Sequence, residues 1–407
     1  MIYRFGQLFD VIDGDRGTNY PKDSDFFEEG YCLFLNAGNV TKVGWSFKDN
    51  SFITEEKDKQ LRKGRVNRGN TVLTTRGTVG NAAYYGDRVP YDHLRINSGM
   101  VILNAKDGRI IDDYFVYYLV TSPLARKTIE LFCSGSAQPQ LPIKDFIKIK
   151  YDLPPLKKQK EIVSILSAYD NLIEVNTSRI KVLEQMAENL YKEWFVRFRF
   201  PGHENAEFEN GIPKGWEYCT VESLSEILQR GISPEYDDAG ELTVISQKCI
   251  RQNIMDIREA RRQTKRFKPE LNLVDGDTVI CSTGTGTLGR VGQIFGDFSD
   301  TTFDSHVTLV RPRPTIGKHF LYWTLKEMQP WFMNMGIGST NQQELYRGTI
   351  KNAKVLNADN RIVTLFEEIL DPIHNRIISL LRTQDNLIKQ RDLLLPRLMS
   401  GKLEVAL

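Results

Sequence analysis

Gly284-Thr285-Gly286-Thr287-Leu288-Gly289 spells G-x-G-x-x-G directly after the β-branched run Thr278-Val279-Ile280. A turn of that kind can hold the pyrophosphate of a dinucleotide on backbone N–H groups. That chemistry needs a helix opening at once behind the turn and an acidic residue on a later strand for the ribose. Behind Gly289 the chain instead reads Arg290-Val291-Gly292-Gln293-Ile294-Phe295-Gly296-Asp297, strand-like and punctuated by glycine, with no acid at the ribose position. These glycines read as hairpin and bulge residues. Asp304-Ser305-His306 has the residue types of a hydrolytic triad, but adjacency in sequence is not triad geometry. His93, His203, His306, His319 and His374 are isolated in the sequence, and each is expected to be structural. No G-x-x-x-x-G-K-[ST], N-P-P-[YF] or H-E-x-x-H occurs, so nucleotide hydrolysis, adenine methylation and zinc proteolysis lack their usual residues. The five cysteines never form C-x-x-C, which argues against structural zinc and for a reducing cytoplasm. No metal site is expected.

The elements that must position such residues come from a chain of 407 residues, long enough for two or three cores. With 41% hydrophobic and 26% charged residues it has the balance of a soluble globular protein. No apolar run approaches the roughly 20 residues that cross a bilayer. The start, "MIYRFGQLFDVIDGD", lacks the layout of a signal peptide, so a cytoplasmic location without membrane contact is expected. A net charge of +2 says little; its distribution says more. "RRQTKRFK" (261–268) holds five basic residues and no acid, and "KDKQLRKGRVNR" (57–68) six basic residues against one acid. Two such runs at comparable places in the chain point toward a polyanion.

The chain is written twice. "RGNTVLTTRGTVGNAAYYGD" (68–87) lines up with "DGDTVICSTGTGTLGRVGQIFGD" (275–297), "LFLNAGNV" (33–40) with "TVISQKCI" (243–250), and "GSAQPQL" (135–141) with "GSTNQQEL" (338–345). "EIVSILSAYD" (161–170) pairs with "RIVTLFEEIL" (361–370). An offset near two hundred residues makes the repeat unit a whole domain. Each front is rich in short β-branched and aromatic runs broken by Gly, Asn and Asp, and predicts a mixed α/β domain with a helix pair at 112–132 or 318–335.

Each back predicts a long amphipathic helix. One seam position takes Leu166, Ile173, Ile180, Ala187 and Trp194, the other Ile162, Tyr169, Asn176, Leu183 and Leu190. Only Asn176 is polar, and it either fixes register or lies solvated where a partner diverges. The second back takes Phe366, Ile373, Leu380, Leu387 and Leu394, flanked by Ile377, Leu381, Ile388 and Leu395. Pro372 is expected to kink or restart it near Asp371. Helices of roughly 35 residues reach about 50 Å each and can pair antiparallel. The expected fold is α+β: two mixed α/β domains joined by two long antiparallel coiled-coil helices, a pseudo-two-fold tandem repeat. Its boundaries fall at 1–152, 153–200, 201–355 and 356–407.

"LPPLKKQKEIVSILSAYDNLIEVNTSRIKVLEQMAENLYKEWF" (153–195) resembles the central region of specificity subunits of type I restriction-modification systems. "NLIKQRDLLLPRLMSGKLEV" (386–405) resembles their C-terminal region, and "IPKGWEYCTVESLSEI" (212–227) the beginning of their second target-recognition domain. The resemblance runs end to end. It implies a protein without catalytic activity, in which each target-recognition domain reads one part of a split, asymmetric sequence in double-stranded DNA. The helices would measure the unread gap and dock two modification (methyltransferase) subunits, with restriction (motor-nuclease) subunits joining them. S-adenosylmethionine, ATP and Mg would then belong to those partners, and no cofactor to this chain.

Loops at domain edges must supply the DNA contacts. Arg76 and Thr78 in one glycine turn, and Thr285 and Arg290 in the other, are candidates, the arginines for phosphate or guanine. Gln138 and Gln140 in one amide-rich loop, and Asn341, Gln342 and Gln343 in the other, suit adenine edges or plain loop capping. Lys63, Arg65 and Arg68, with Arg261, Arg262, Lys265 and Arg266, are phosphate candidates whose alternative is solubility. Lys42 and Lys248 are weaker ones, and Trp194, Phe195 and Trp216 are expected to pack. Two other classes remain open: a stand-alone methyltransferase or nuclease using the glycine turn, and a coiled-coil adaptor without DNA affinity.

Overall fold

The computed structural model describes residues 1–135, 139–250, 253–284, 286–338 and 343–403. The helices that position the candidate sites are α1 (Asp113–Thr121), α2 (Pro123–Phe132), α3 (Leu156–Tyr191), α4 (Lys318–Glu327), α5 (Gln329–Asn334) and α6 (Asn360–Met399). The chain divides into two compact units, Met1–Glu174 with Asp385–Leu407, and Val175–Gln384. Each unit therefore holds a share of both long helices.

In the first unit the strands are β1 (Phe9–Asp13), β2 (Cys32–Leu35), β3 (Phe52–Ile53), β4 (Arg65–Val66), β5 (Thr71–Thr74), β6 (Ala82–Tyr84), β7 (Leu94–Ile96) and β8 (Met100–Ala105). They form a four-stranded sheet of order β1-β8-β5-β6 and a second of order β3-β2-β7-β4. In the first sheet Ile102 lies opposite Ile12 and Val72. Side chains alternate across a strand, so Leu73, Val101 and Leu103 join Phe115 and Leu119 of α1 in one core. Val72 and Ile102 join Leu33, Leu35 and Leu94 of the second sheet in another. Both faces are buried, which is why these strands read as unbroken apolar runs.

The second unit repeats the plan with β9 (Ser225–Arg230), β10 (Leu242–Ile245), β11 (Arg261–Gln263), β12 (Thr278–Cys281), β13 (Val291–Gln293), β14 (Thr301–Phe303) and β15 (Val307–Pro312). Its sheets run β9-β15-β12-β13 and β11-β10-β14. Ile280, Val291 and Val310 pack against Phe320 and Leu321 of α4, while Val279, Cys281 and Leu309 face Ile245 and Phe303. The expected helix pairs are present in both units. In each, a short antiparallel ladder leads into a long helix: Ile2–Arg4 with Lys150–Asp152 before α3, and Glu217–Thr220 with Lys354–Asn357 before α6.

The seam register read from the sequence holds. None of Ile162, Leu166, Tyr169, Ile173, Ile180, Leu183, Leu190, Phe366, Ile373, Leu380, Leu387 and Leu394 is exposed. In the first unit Ile162 and Leu166 share a core with Leu398 and Met399, and Asp170 takes a 2.8 Å bond from Arg391. In the second, Thr177 bonds Gln384 at 2.7 Å, Ile180 meets Ile377 and Leu380, and Trp194 and Phe195 pack on Phe366. One number rises as its partner falls, so the pairing is antiparallel within each unit. Asn176 is 6% exposed, which removes the solvated alternative. Pro372 does not restart the second helix: α6 runs without a break from Asn360 to Met399. Proline removes one helical hydrogen bond, and the packing of Phe366, Leu370 and Ile373 into one core on either side of it carries the helix through.

Candidate nucleic-acid interface

The turn that raised the cofactor question joins two antiparallel strands. Ile280 of β12 faces Val291 of β13, and no helix opens behind Gly289, so the turn is a hairpin connection and no dinucleotide cradle. Gly284 has φ +102°, and a Cβ there would lie 2.4 Å from Gln247 Oε1. Gly289 has φ +74°, and its Cβ would lie 2.5 Å from the backbone N of Met333 in α5. Glycine is needed for this backbone conformation and for close approach to a neighbouring loop and helix.

Both units staple the corresponding turn in the same way. In the first, Thr75 N donates to Gly99 O at 2.8 Å, Leu141 N donates to Thr75 O at 2.9 Å, and Ser134 and Gln140 exchange backbone bonds of 2.9 Å. In the second, Ser282 N donates to His306 O at 2.8 Å, Leu345 N to Ser282 O at 2.8 Å, and Ile337 and Glu344 exchange bonds of 3.0 Å. Three separate loops thus meet at one end of each unit: the hairpin turn, the loop before β8 or β15, and the loop after α2 or α5. Arg76, Thr78 and Gln140 share this cluster in the first unit and all are exposed. Gln343 is exposed beside Glu344 in the second. Gln138, Thr285, Asn341 and Gln342 lie outside the described residues. Arg290 is half-buried at the foot of its hairpin, where its charge acts on the Cys281 thiol. The residue in the position of Arg76 is Thr283, since Arg76 bridges Gln140 as Thr283 bridges Glu344.

Residues 1–185 match the model of the type I restriction modification DNA specificity domain. This part of the chain is similar to such a domain. The chain is similar to the specificity subunit of the type I restriction enzyme MjaIX from Methanocaldococcus jannaschii, 24% identical over 364 residues that cover 87% of this chain and 82% of that one. It is similar also to the HindI specificity subunit of Haemophilus influenzae, 21% identical with 96% and 98% covered. Its fold is that of the crystal structure of a type I restriction-modification system S subunit from M. genitalium, with a TM-score of 0.57 at 16% identity, covering 98% of this chain and 95% of that one. The resemblance to type I specificity subunits stands. No helix among the described residues is long and apolar enough to cross a membrane.

Within both units, much of the basic charge is engaged by the fold. Arg68 donates to the carbonyls of Gly86, Val89 and Tyr91, pairs with Asp92, and lies 4.2 Å over the Tyr85 ring. Arg65 reaches Asp58 at 3.4 Å. Arg262 donates to Glu241 O and Lys265 to Ser233 O, while Arg261 stacks 3.6 Å over Tyr236. Lys63 and Arg266 are exposed, and Arg95 is buried against Asp58 at 2.6 Å. These clamps are invisible in sequence because most partners are distant along the chain.

Asp304-Ser305-His306 is no triad. The Asp304 carboxylate, 2% exposed and pushed up by burial, accepts the backbone N–H of His306 at 2.9 Å. The His306 ring instead meets Thr283 Oγ1 at 2.5 Å through Nδ1. Nor are all histidines isolated: the rings of His319 and His374 lie 4.7 Å apart, bonded to Asp371 and Asp275. The sequence reading took His306 for a structural residue and did not single out Gln247, though both bond into the second cluster. The repeat carried the signal, because Ser98-Gly99 and Ser305-His306 hold the same place before an apolar strand.

Proposed function

We propose that this chain is the non-catalytic DNA-recognition subunit of a type I restriction-modification complex, each unit reading one part of a bipartite, asymmetric site. One observation carries the reading: the same three-loop cluster is built twice, on two copies of one sheet, with different side chains at matching places. Chemically equivalent frames bearing different donors suit two unlike half-sites. Half-sites on one face of B-DNA recur about every 34–36 Å. Helices of 36 and 40 residues, about 50–60 Å long, can set that separation. Leu172, Val182 and Met186 on α3, and Leu365, Ile369 and Leu393 on α6, are exposed and offer apolar contacts to two methyltransferase subunits. S-adenosylmethionine, ATP and Mg2+ would act in those and in the restriction subunits.

A salt titration of DNA affinity, with the methyltransferase partner bound, tests the reading. Affinity should fall about 10³-fold or more between 50 and 200 mM salt if some six phosphates are contacted. No affinity at low salt would leave an adaptor, and stoichiometric binding of S-adenosylmethionine by the chain alone would indicate an enzyme. Mapping methylated adenines in the source genome would yield both half-sites and the gap.

A further inference from the structure

We infer that Arg76 and His306 are the matching specificity-determining side chains of the two units, each reading a base edge from the same point of the shared loop frame. This rests on the proposed function and names residues for it. The matching backbone bonds of the two staples superpose Arg76 on Thr283 and Gly99 on His306. At this pair of places the two units exchange size. In the first unit the large side chain comes from the turn, and the facing residue is Gly99, where an added Cβ would sit 3.8 Å from Arg76 Cβ. In the second the turn residue is the short Thr283, and the large side chain comes from the facing loop as His306, with its Nδ1 2.5 Å from Thr283 Oγ1. One long nitrogen-bearing side chain therefore leaves the same spot in each unit, from opposite sides of the staple.

Both side chains are exposed. Arg76 forms no side-chain hydrogen bond or ion pair among the described residues, in contrast to Arg68, and to Arg230, which pairs with Glu344 at the equivalent edge of the second cluster. A free guanidinium presents a donor fork matched to O6 and N7 of guanine. The imidazole, held at Nδ1, has only Nε2 left and makes a single bond. The two units then read different bases at equivalent points, and Arg76 carries the larger share of discrimination.

The experiment uses the full chain assembled with its methyltransferase partner, and reads the sequences methylated in a randomised DNA library. Arg76→Ala should relax one base-pair position in one half-site by roughly ten- to a hundredfold, and His306→Ala one position in the other half-site by a smaller factor, with the gap unchanged. The exchange Gly99→His with Arg76→Thr should change the preferred base at that first position. Retention of both half-sites in the two alanine variants would overturn the inference, as would uniform weakening across all sequences, which marks a phosphate contact. Thermal unfolding unchanged in His306→Ala shows that the fold persists. A wild-type complex that binds no DNA would sink the proposed function instead.

Discussion

The two units join head to helices with opposite chemistry. In the first, Tyr118 donates to Asp170 at 2.6 Å and Arg391 donates to the other carboxylate oxygen at 2.8 Å. Tyr84, Tyr114 and Tyr118 stack behind this pair, with centroids 4.1 and 5.1 Å apart. Burial, then Asp170, pushes the Tyr118 phenol far above its usual range, and Arg391 stays charged at any ordinary pH. In the second, His374 bonds Asp275 at 2.7 Å, Lys318 bonds Asp275 at 2.9 Å, and His319 bonds Asp371 at 3.1 Å. Glu367 takes the backbone N–H of His319 and Phe320 at the start of α4. Ala187 stands seven residues before Trp194, as Arg391 stands seven before Leu398. Where the first unit has a guanidinium, the second has a methyl group and a small cavity lined by Glu184, Gln293, Tyr322, His319 and His374. One architecture is thus held by an arginine in one copy, and in the other by a lysine together with two histidines.

Removing the permanent charge should have the largest effect. Arg391→Met leaves the half-buried Asp170, about 20% exposed, facing an apolar chain, and losing a charge-assisted bond there costs about 3 kcal/mol. Urea unfolding should show a lower midpoint; a change within error would mean that the tyrosine stack alone holds the first junction. Asp275→Asn comes next. It weakens bonds to His374, Lys318 and the Gly296 N–H together. Charge-assisted bonds contribute about 1.5–3 kcal/mol each, and the amide can keep some of them, so about 2 kcal/mol is expected by the same measurement.

The contrast also marks what a sequence can disclose. The seam at Ile162, Leu166, Ile180, Phe366 and Leu380 was legible because helical periodicity is local, and the doubled sheet because both copies keep their apolar runs. The staple through Gly99 and Gln140 was half legible: the repeat named the turn and the Gln140 loop, but neither the Gly99 loop nor their meeting. The junctions were not legible. Tyr118 and Asp170 are 52 residues apart, His374 and Asp275 99, and Asp170 and Arg391 221. Nothing in residue type distinguishes Arg391, half-buried against a carboxylate, from the exposed basic residues around it. The heptad did place Ala187 on the seam, yet its meaning appears only beside Arg391.

A smaller effect sharpens the difference in titration. Burial raises Glu184 from 4.5 to about 7. Between those values the folded protein binds its proton more readily than the unfolded chain, so the stabilisation is fully present below about pH 4.5 and is lost as pH rises through 7. His319 works the other way: burial, then His374, hold it down at about 3, so its contribution is present above 6.5 and is lost as pH falls toward 3. Glu184→Gln isolates the first. The variant should melt a few degrees above wild type at pH 8, and the gap should close by pH 5. Equal melting at both pH values would show that Glu184 is not held in an apolar setting and would weaken the contrast.

The smallest effect is the control for the first unit. Arg88 and Glu174 also link its front to α3, at 3.2 Å, but each is 55% exposed. Exposed pairs contribute about 0–1 kcal/mol and are screened by salt, whereas the half-buried Arg391 and Asp170 are screened less. Arg88→Ala should shift the urea midpoint little in low salt and not at all in 1 M salt, while the deficit of Arg391→Met persists in either. If the two variants lost stability to the same degree and with the same salt dependence, burial would not be what separates these ion pairs. The first junction would then be held by surface electrostatics, and the distinction between the arginine junction and the lysine–histidine junction would reduce to a count of charges.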